Sequence, residues 1–149
     1  MKFSTRSRYG LRAILDIAIN GKDKPASINA IAERQDISEK YLEQLMPKLK
    51  KAGFIESVRG TYGGYVLAKS PEDISVGEVL RVLEGPLAPV RCIVEKEDKR
   101  CGRWNKCVTK FIWAEIKDKI EEAVDSITLK TLVEIYKKKD AEKGYMYYI

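Results

Sequence analysis

Three cysteines, Cys92, Cys101 and Cys107, are the residues of this chain most suited to chemistry, and they lie within 16 residues of a sequence that has no histidine. Three thiols cannot all pair in disulfides, and they are one short of the four protein ligands of a usual metal site. Thiolates at this spacing suit one small iron-sulfur cluster or a zinc ion, with a fourth ligand from elsewhere. The lysines and arginines around them would lower the thiol pKa values and offset a cluster's negative charge. We therefore predict a metal or cluster site in this basic loop.

Length, composition and charge limit the kind of protein that carries this loop. The chain has 149 residues, 44% of them apolar, which suits one domain or one small domain with an appended element. It has no run of about 20 apolar residues and no apolar stretch after its basic start, so we expect a cytoplasmic protein with reduced cysteines and no membrane partner. The net charge is +6, of which residues 1–68 carry +5. A basic first half is as compatible with a nucleic-acid partner as with a merely soluble surface.

The elements that must position the cysteines begin with a predicted helix-turn-helix. A first helix starts at Thr5, and its apolar stripe consists of Leu11, Ile14, Leu15 and Ala18. Ser27 can cap a short second helix, and Ser38 can cap a third that ends at Gly53. The third helix has an inward apolar face, formed by Leu42, Leu45 and Leu49. We expect Pro47 to bend this helix without dividing it, because proline removes one backbone hydrogen bond.

A glycine-rich hairpin is predicted directly after the third helix. Two short runs with high β propensity, FIESV and YVLA, are joined by the segment from Arg59 to Gly64, in which glycine occupies three of six positions. A hairpin in this place is a wing, and its slim tip carries Arg59. The predicted fold class is thus mainly α with a small β-hairpin: a winged helix-turn-helix DNA-binding domain followed by a long dimerisation helix.

The second half of the chain predicts a capped helix, a connector and two further helices. Ser75 and Glu78 form a capping box, and residues 85–89 read as a connector that leads into the cysteine loop. Beyond Cys107, a long helix has an apolar stripe of the kind that packs helices side by side, formed by Trp113, Ile116, Ile120, Ala123 and Ile127. This stripe favours a homodimer over a helix packed on its own domain. Thr128 can cap a last helix. The resulting division is residues 1–84 for DNA binding, 85–107 for the connector and cysteine loop, and 108–149 for dimerisation.

This order of elements resembles the family of bacterial iron-sulfur transcription regulators that includes IscR, NsrR and CymR, with IscR-like members most similar. The resemblance is carried by SEKYLEQLMPKLKKAGFIESVRGTYGGYVLAK, by ISVGEVL, by the pair Arg91 and Cys92, and by CGRWNKCVTKFIWAEI. It implies a homodimeric, non-enzymatic regulator whose DNA affinity or site choice depends on an iron-sulfur cluster held by the three cysteines. For an IscR-like member it also implies repression of genes for iron-sulfur cluster assembly.

The predicted DNA contacts lie at the start of the third helix and on the wing. Gln44 can pair bidentately with adenine, and Glu43 can accept from the amino group of cytosine. Arg59 suits a minor groove, whose negative potential favours an inserted guanidinium. Tyr41 is as compatible with packing as with DNA contact. The full set of predicted DNA-binding residues is Ser38, Lys40, Tyr41, Glu43, Gln44, Arg59, Gly60 and Tyr62. A two-fold dimer predicts a palindromic operator on double-stranded DNA.

The fourth cluster ligand is where this sequence departs from its relatives. IscR-like members have a histidine where this chain has Lys110, and NsrR-like members have a carboxylate where it has Arg8. The remaining candidates are oxygen ligands or an external molecule such as water or a small thiol, and the carboxylates considered are Glu43, Glu95, Glu97, Asp98 and Asp16. An oxygen ligand exchanges readily, which suits a sensor. A 2Fe-2S cluster is favoured over 4Fe-4S because the recognition helix is IscR-like.

Three other functions compete with this interpretation. The chain could be a nitric-oxide-sensing repressor of the same family or a zinc-stabilised repressor. It could also be a cluster-free repressor controlled by a protein partner, as in CymR-like members, although the three cysteines count against this. An enzyme is disfavoured, because the sequence has no histidine for acid-base work, no C-x-x-C pair and no glycine-rich phosphate loop after a strand.

Overall fold

Six helices and one β-hairpin make up the computed structural model, which describes residues 1–94 and 101–147. In chain order the elements are α1 (Thr5–Asn20), α2 (Ile28–Gln35), α3 (Glu39–Lys51), β1 (Ile55–Val58), β2 (Gly64–Leu67), α4 (Val76–Glu84), α5 (Lys110–Asp125) and α6 (Leu129–Tyr147). Short 3-10 turns cover residues 71–73, 91–93 and 104–106. Within these residues, no helix is both long enough and apolar enough to cross a bilayer.

Serine side chains fix the starts of four helices, three of which were predicted. The hydroxyls of Ser4, Ser27, Ser38 and Ser75 each accept a hydrogen bond from the backbone N–H three residues later. At the start of α4 the predicted capping box is complete, because the Glu78 side chain also accepts from the Ser75 backbone N–H at 2.9 Å. Each cap satisfies N–H groups that the helix itself cannot.

The main core lies between α1, α2, α3, α4 and the wing, and the predicted inward face of α3 is confirmed. Leu42, Leu45 and Leu49 are all buried in it. On α1 the stripe needs a correction, because Ile14 and Ala18 are buried but Leu11 and Leu15 are only half-buried. The reason is that α1 contacts other elements on several sides, so that its buried face also includes residues outside the predicted stripe, Ala13 and Ile17.

Helix α3 continues through Pro47 as one helix, as predicted. Pro47 itself is exposed, so its ring lies on the solvent side of the helix. Beyond Lys51, Gly53 has φ of 81° and donates its N–H to the Lys50 carbonyl at 3.0 Å. A residue with a Cβ rarely adopts this left-handed conformation, which explains the glycine just beyond the end of α3.

The predicted wing is present as an antiparallel hairpin with Ile55 opposite Leu67 and Val58 opposite Gly64. Its second strand also bridges to Ala26, with Ala26 N donating to Tyr65 O at 2.9 Å and Tyr65 N donating to Ala26 O at 2.8 Å. A Cβ on Gly64 would lie 2.5 Å from the Ala26 backbone, so the close approach requires glycine. The wing is therefore attached to the segment that leads into α2.

Helices α5 and α6 pack on the N-terminal part of the same chain. Ile120 and Val124 of α5 cover a small core formed by Val76, Leu80 and Leu87, and Leu129 at the start of α6 is buried in the main core. The long predicted stripe ends earlier than expected, because α5 ends at Asp125 and the carbonyl of Ile127 instead accepts from Val76 N at 2.8 Å. Helix α6 extends from Leu129 to Tyr147 and so includes the charged segment 137–143.

Candidate functional site

The first turns of α3 present a polar face to solvent. Lys40, Glu43 and Gln44 are all exposed, whereas Ser38 uses its hydroxyl to accept from Tyr41 N at 3.1 Å. The exposed side chains include a cation, an acceptor and an amide, which together can contact phosphates and base edges in a major groove. Lys40, Glu43 and Gln44 thus lie on one accessible surface. The Ser38 hydroxyl already accepts a hydrogen bond as the helix cap.

Tyr41 packs against α1. Its ring meets the ring of Tyr9 edge to face, with the centroids 5.7 Å apart and an interplanar angle of 88°. The guanidinium carbons of Arg12 and Arg8 lie 5.4 and 6.0 Å from the Tyr9 ring centroid, within cation–π range. These arginines were not predicted as part of the surface. Their spacing of four residues on a helix was the sequence signal that could have indicated a shared face.

An ion pair between a buried carboxylate and an exposed arginine joins α1 to α2 within the helix-turn-helix. The Asp16 carboxylate is fully buried and accepts from Arg34 Nε at 3.0 Å, from Arg34 NH2 at 2.7 Å and from Gln35 Nε2 at 2.9 Å. The hydrogen bond to Asp16 raises the pKa of Arg34. Asp16 was a candidate cluster ligand, and this occupied, buried carboxylate argues against that role.

The tip of the wing is exposed and narrow. Arg59, Gly60 and Tyr62 all face solvent, and Tyr62 retains 89% of its accessible surface. Gly60 has φ of 116°, and its carbonyl accepts from Gly63 N at 3.0 Å, which closes the tip. Lys50 Nζ donates to Ser57 Oγ at 2.8 Å and so connects the end of α3 to the first strand of the wing.

The three cysteines lie on two short turns between α4 and α5. Cys92 is in the turn 91–93, and Cys101 and Cys107 flank the turn 104–106. All three are free and half-buried. Within residues 1–94 and 101–147, no three Cys, Asp or Glu side chains are grouped closely enough to hold a metal ion. Glu95, Glu97 and Asp98, three of the candidate fourth ligands, lie outside the described residues.

Cys107 has the most distinctive surroundings of the three thiols. Its Sγ lies 3.3 Å from Thr109 Oγ1, and this hydrogen bond is the main reason that the pKa of the Cys107 thiol is lowered, with the Lys110 backbone N–H contributing next. Lys110 Nζ donates to the Trp104 carbonyl at 2.9 Å and lies 4.6 Å from the Trp104 ring centroid. Lys110 therefore holds the 104–106 turn against the start of α5.

The donor set fits an iron-sulfur cluster in type and number of thiols. Cys92, Cys101 and Cys107 would hold it as thiolates, and the lowered pKa of Cys107 favours the ligating form. The thiols are not assembled as a ligand group in this conformation, so binding would require the turns around them to move.

An exposed apolar strip begins immediately after the cysteine segment. Val108, Phe111 and Ile112 expose 77%, 68% and 52% of their surfaces, and α5 has no residue that is buried. One side of α5 packs on α4 through Ile120 and Val124. The strip is of the kind that marks a protein interface.

Comparison with known proteins gives consistent matches over nearly the whole chain. Residues 3–135 match the family model Rrf2, described as an iron-dependent transcriptional regulator. "Protein rrf2" of Nitratidesulfovibrio vulgaris is 47% identical over 133 residues, which cover 89% of this chain and 87% of that protein. The solved structure of CymR, the global cysteine regulator of B. subtilis, aligns with a TM-score of 0.75 and 39% identity over 91% of this chain and 98% of the other. The solved structure of T. potens IscR aligns with a TM-score of 0.73 and 44% identity over 99% and 96%.

Proposed function

The chain belongs to the Rrf2 family of transcriptional regulators, and from this premise we propose that it is a DNA-binding regulator controlled by an iron-sulfur cluster on Cys92, Cys101 and Cys107. The observation that carries the proposal is the place of three free, half-buried thiols between the winged helix-turn-helix and α5. Any rearrangement that brings these thiols together must move the segment that joins the winged helix-turn-helix to α5. We propose repression of genes for cluster assembly as its role, by analogy with IscR-like members.

DNA recognition is assigned to the exposed face of α3 and to the wing. Glu43 and Gln44 would read base edges in the major groove, and Lys40 would contact phosphate. Arg59 at the slim tip would enter the minor groove, with Gly60 and Tyr62 beside it. Tyr41, which packs on Tyr9, would position this surface.

The residues near the three thiols would determine how the cluster is held. When bound, the cluster supplies a redox-active and exchangeable iron centre. The Thr109 hydroxyl and, after it, the Lys110 backbone N–H lower the pKa of the Cys107 thiol. Glu43, Glu95, Glu97, Asp98 or an external molecule is proposed for the fourth position, and a 2Fe-2S cluster is favoured. Glu43 would couple the cluster directly to the recognition helix.

A homodimer is proposed through the exposed strip of Val108, Phe111 and Ile112. Burying these side chains against a second copy would remove a large apolar area from water. Two recognition helices related by a two-fold axis would then require a palindromic operator.

A cluster-free regulator that responds through its thiols is the second candidate. Two observations favour it: the three cysteines are not grouped as ligands within the described residues, and CymR of B. subtilis is 40% identical over the full length of both chains. In this case oxidation or modification of the thiols would replace cluster loading as the signal.

Anaerobic purification followed by iron, sulfide and zinc analysis separates these candidates. The cluster proposal predicts a coloured protein with stoichiometric iron and sulfide, and loss of both in Cys101→Ser. Asn105→Ala, an exposed change in the same segment, should retain them. Stoichiometric zinc without colour would refute the cluster, and a metal-free protein that still binds its promoter would favour the second candidate.

A further inference from the structure

A cavity of about 570 Å³ lies on the side of the molecule formed by α1, the wing and α6. Its walls come from the end of α1, from β2, from the turn 70–72 and from the first half of α6. This volume falls within the range of about 300–1,000 Å³ that is typical of small-molecule sites. None of the residues assigned above to DNA or to the cysteine segment lines it.

The floor of the cavity is apolar. It is formed by Ile17, Ala18, Val66, Leu67 and Val133. The edge between α1 and β2 is set by Gly21, at which a Cβ would lie 2.6 Å from the Ile17 carbonyl oxygen and 3.0 Å from that of Tyr65. Because Gly21 has no side chain, the end of α1 closes directly against the wing strand, and the floor is continuous across the two elements.

The rim of the cavity carries more positive than negative charge. Lys22, Lys130 and Lys137 line it together with Glu72 and Glu134. Lys130 Nζ lies 3.7 Å from Glu72 Oε2, so these two charges compensate each other. Among the residues that the structure describes, Lys22 and Lys137 have no carboxylate within 4 Å. Their ammonium groups are therefore available to an anionic headgroup above the apolar floor.

We propose that this cavity binds a small organic anion with an apolar body and one negatively charged headgroup. The apolar body would rest on the floor formed by α1, β2 and α6, and the headgroup would meet Lys22 and Lys137. A ligand in this position contacts the wing strand and the C-terminal helix at once. This ligand site is separate from the cysteine segment, and its proposal does not depend on the proposed cluster.

The test is a fluorescence titration of the full-length protein with 8-anilinonaphthalene-1-sulfonate, which has an apolar ring system and one sulfonate. The proposal predicts one saturable site per chain and a Kd that rises about tenfold or more in Lys137→Glu. Lys138→Glu, the neighbouring residue that does not line the cavity, is the matched control and should change the Kd less than about twofold. If thermal melting shows that Lys137→Glu is unfolded, Lys137→Gln and Lys22→Gln provide the same comparison.

Two further arms locate the site and test the headgroup. Octanoate should displace the probe, whereas octanol at the same concentration should not. Equal displacement by both, or equal affinity of wild type and the Lys137 and Lys22 variants, would overturn the proposal. Val133→Trp changes a residue that lines the cavity, whereas Phe111→Asp changes the exposed strip near α5. If the probe still binds Val133→Trp but no longer binds Phe111→Asp, it occupies the exposed strip and the proposal is overturned.

Discussion

The Cys107 thiol and the Thr109 hydroxyl form the contact that most directly affects cysteine reactivity in the metal-free protein. The hydrogen bond at 3.3 Å lowers the pKa of Cys107, because it stabilises the thiolate. Thr109→Val removes this bond while keeping the side-chain volume. We expect the pH midpoint of Cys107 alkylation by iodoacetamide, followed by peptide mass spectrometry, to move upward. Thr131→Val, on α6, should leave the midpoint in place, and an unchanged midpoint in Thr109→Val would refute the assigned cause.

Glu84 stabilises the fold at neutral pH through its contacts with the start of α1. Its Oε2 accepts from Ser4 Oγ at 2.6 Å, from Ser4 N at 3.1 Å and from Ser7 Oγ, and the two hydroxyls lower its pKa. A lowered pKa gives stability that is present above the ordinary value and is lost as the pH falls through the folded value. Glu84→Gln should therefore reduce the free energy of unfolding by about 1–2 kcal/mol near pH 7 in urea titrations. The difference from wild type should shrink in acid, and the exposed control Glu56→Gln should show no such pattern.

At the residue scale, the sequence predicted local features and missed those that depend on distant partners. Ser27, Ser38 and Ser75 were predicted as caps because their N–H partners are three residues away. Asp16 was proposed as a cluster ligand because the sequence does not show its partner. Its burial and its ion pair with Arg34 arise only when α1 and α2 pack together. The thiols were visible as a group in the sequence, but their arrangement depends on the turns that carry them.

At the scale of elements, the proposed contact of the wing with DNA can be tested by a single substitution. Arg59 lies exposed at a tip that Gly60 and Gly63 close tightly. We expect Arg59→Ala to weaken binding to the protein's own promoter by about 1–3 kcal/mol, measured by fluorescence anisotropy. Lys69→Ala, beyond the second strand, removes the same charge away from the tip and should cost much less. Equal affinity for wild type and Arg59→Ala would mean that the wing does not enter the groove.

The order of helices and the hairpin followed from periodicity and turn residues, whereas the contacts between elements did not. The leucines of α3 recur at helical spacing, and the glycines between β1 and β2 identify a turn. The bridge from Ala26 to Tyr65 and the packing of α6 on α1 join positions far apart in the chain, so no local pattern contains them. The early end of α5 also depends on a contact between distant positions, because the Ile127 carbonyl accepts a hydrogen bond from Val76 N of α4.

At the scale of the whole molecule, the exposed strip on α5 predicts dimerisation. Phe111→Asp places a charge in the proposed interface, which costs free energy because the carboxylate would be buried without a partner. We expect the dimer dissociation constant to rise about 100-fold or more in sedimentation equilibrium. Val82→Asp, at an exposed apolar position on α4, should leave the dimer intact. A Phe111→Asp protein that remains dimeric at the same concentration would place the interface elsewhere.

Coupling between the cysteine segment and the DNA reader is the central claim about the whole molecule. The most direct measurement is the affinity of one anaerobic preparation for its own promoter, before and after removal of the cluster, with Cys101→Ser in parallel. We expect the cluster-free protein and Cys101→Ser to share one affinity or site preference, and the loaded protein to differ from both by about tenfold or more. Identical affinity and site preference in all three samples, with iron and sulfide confirmed in the first, would contradict this coupling.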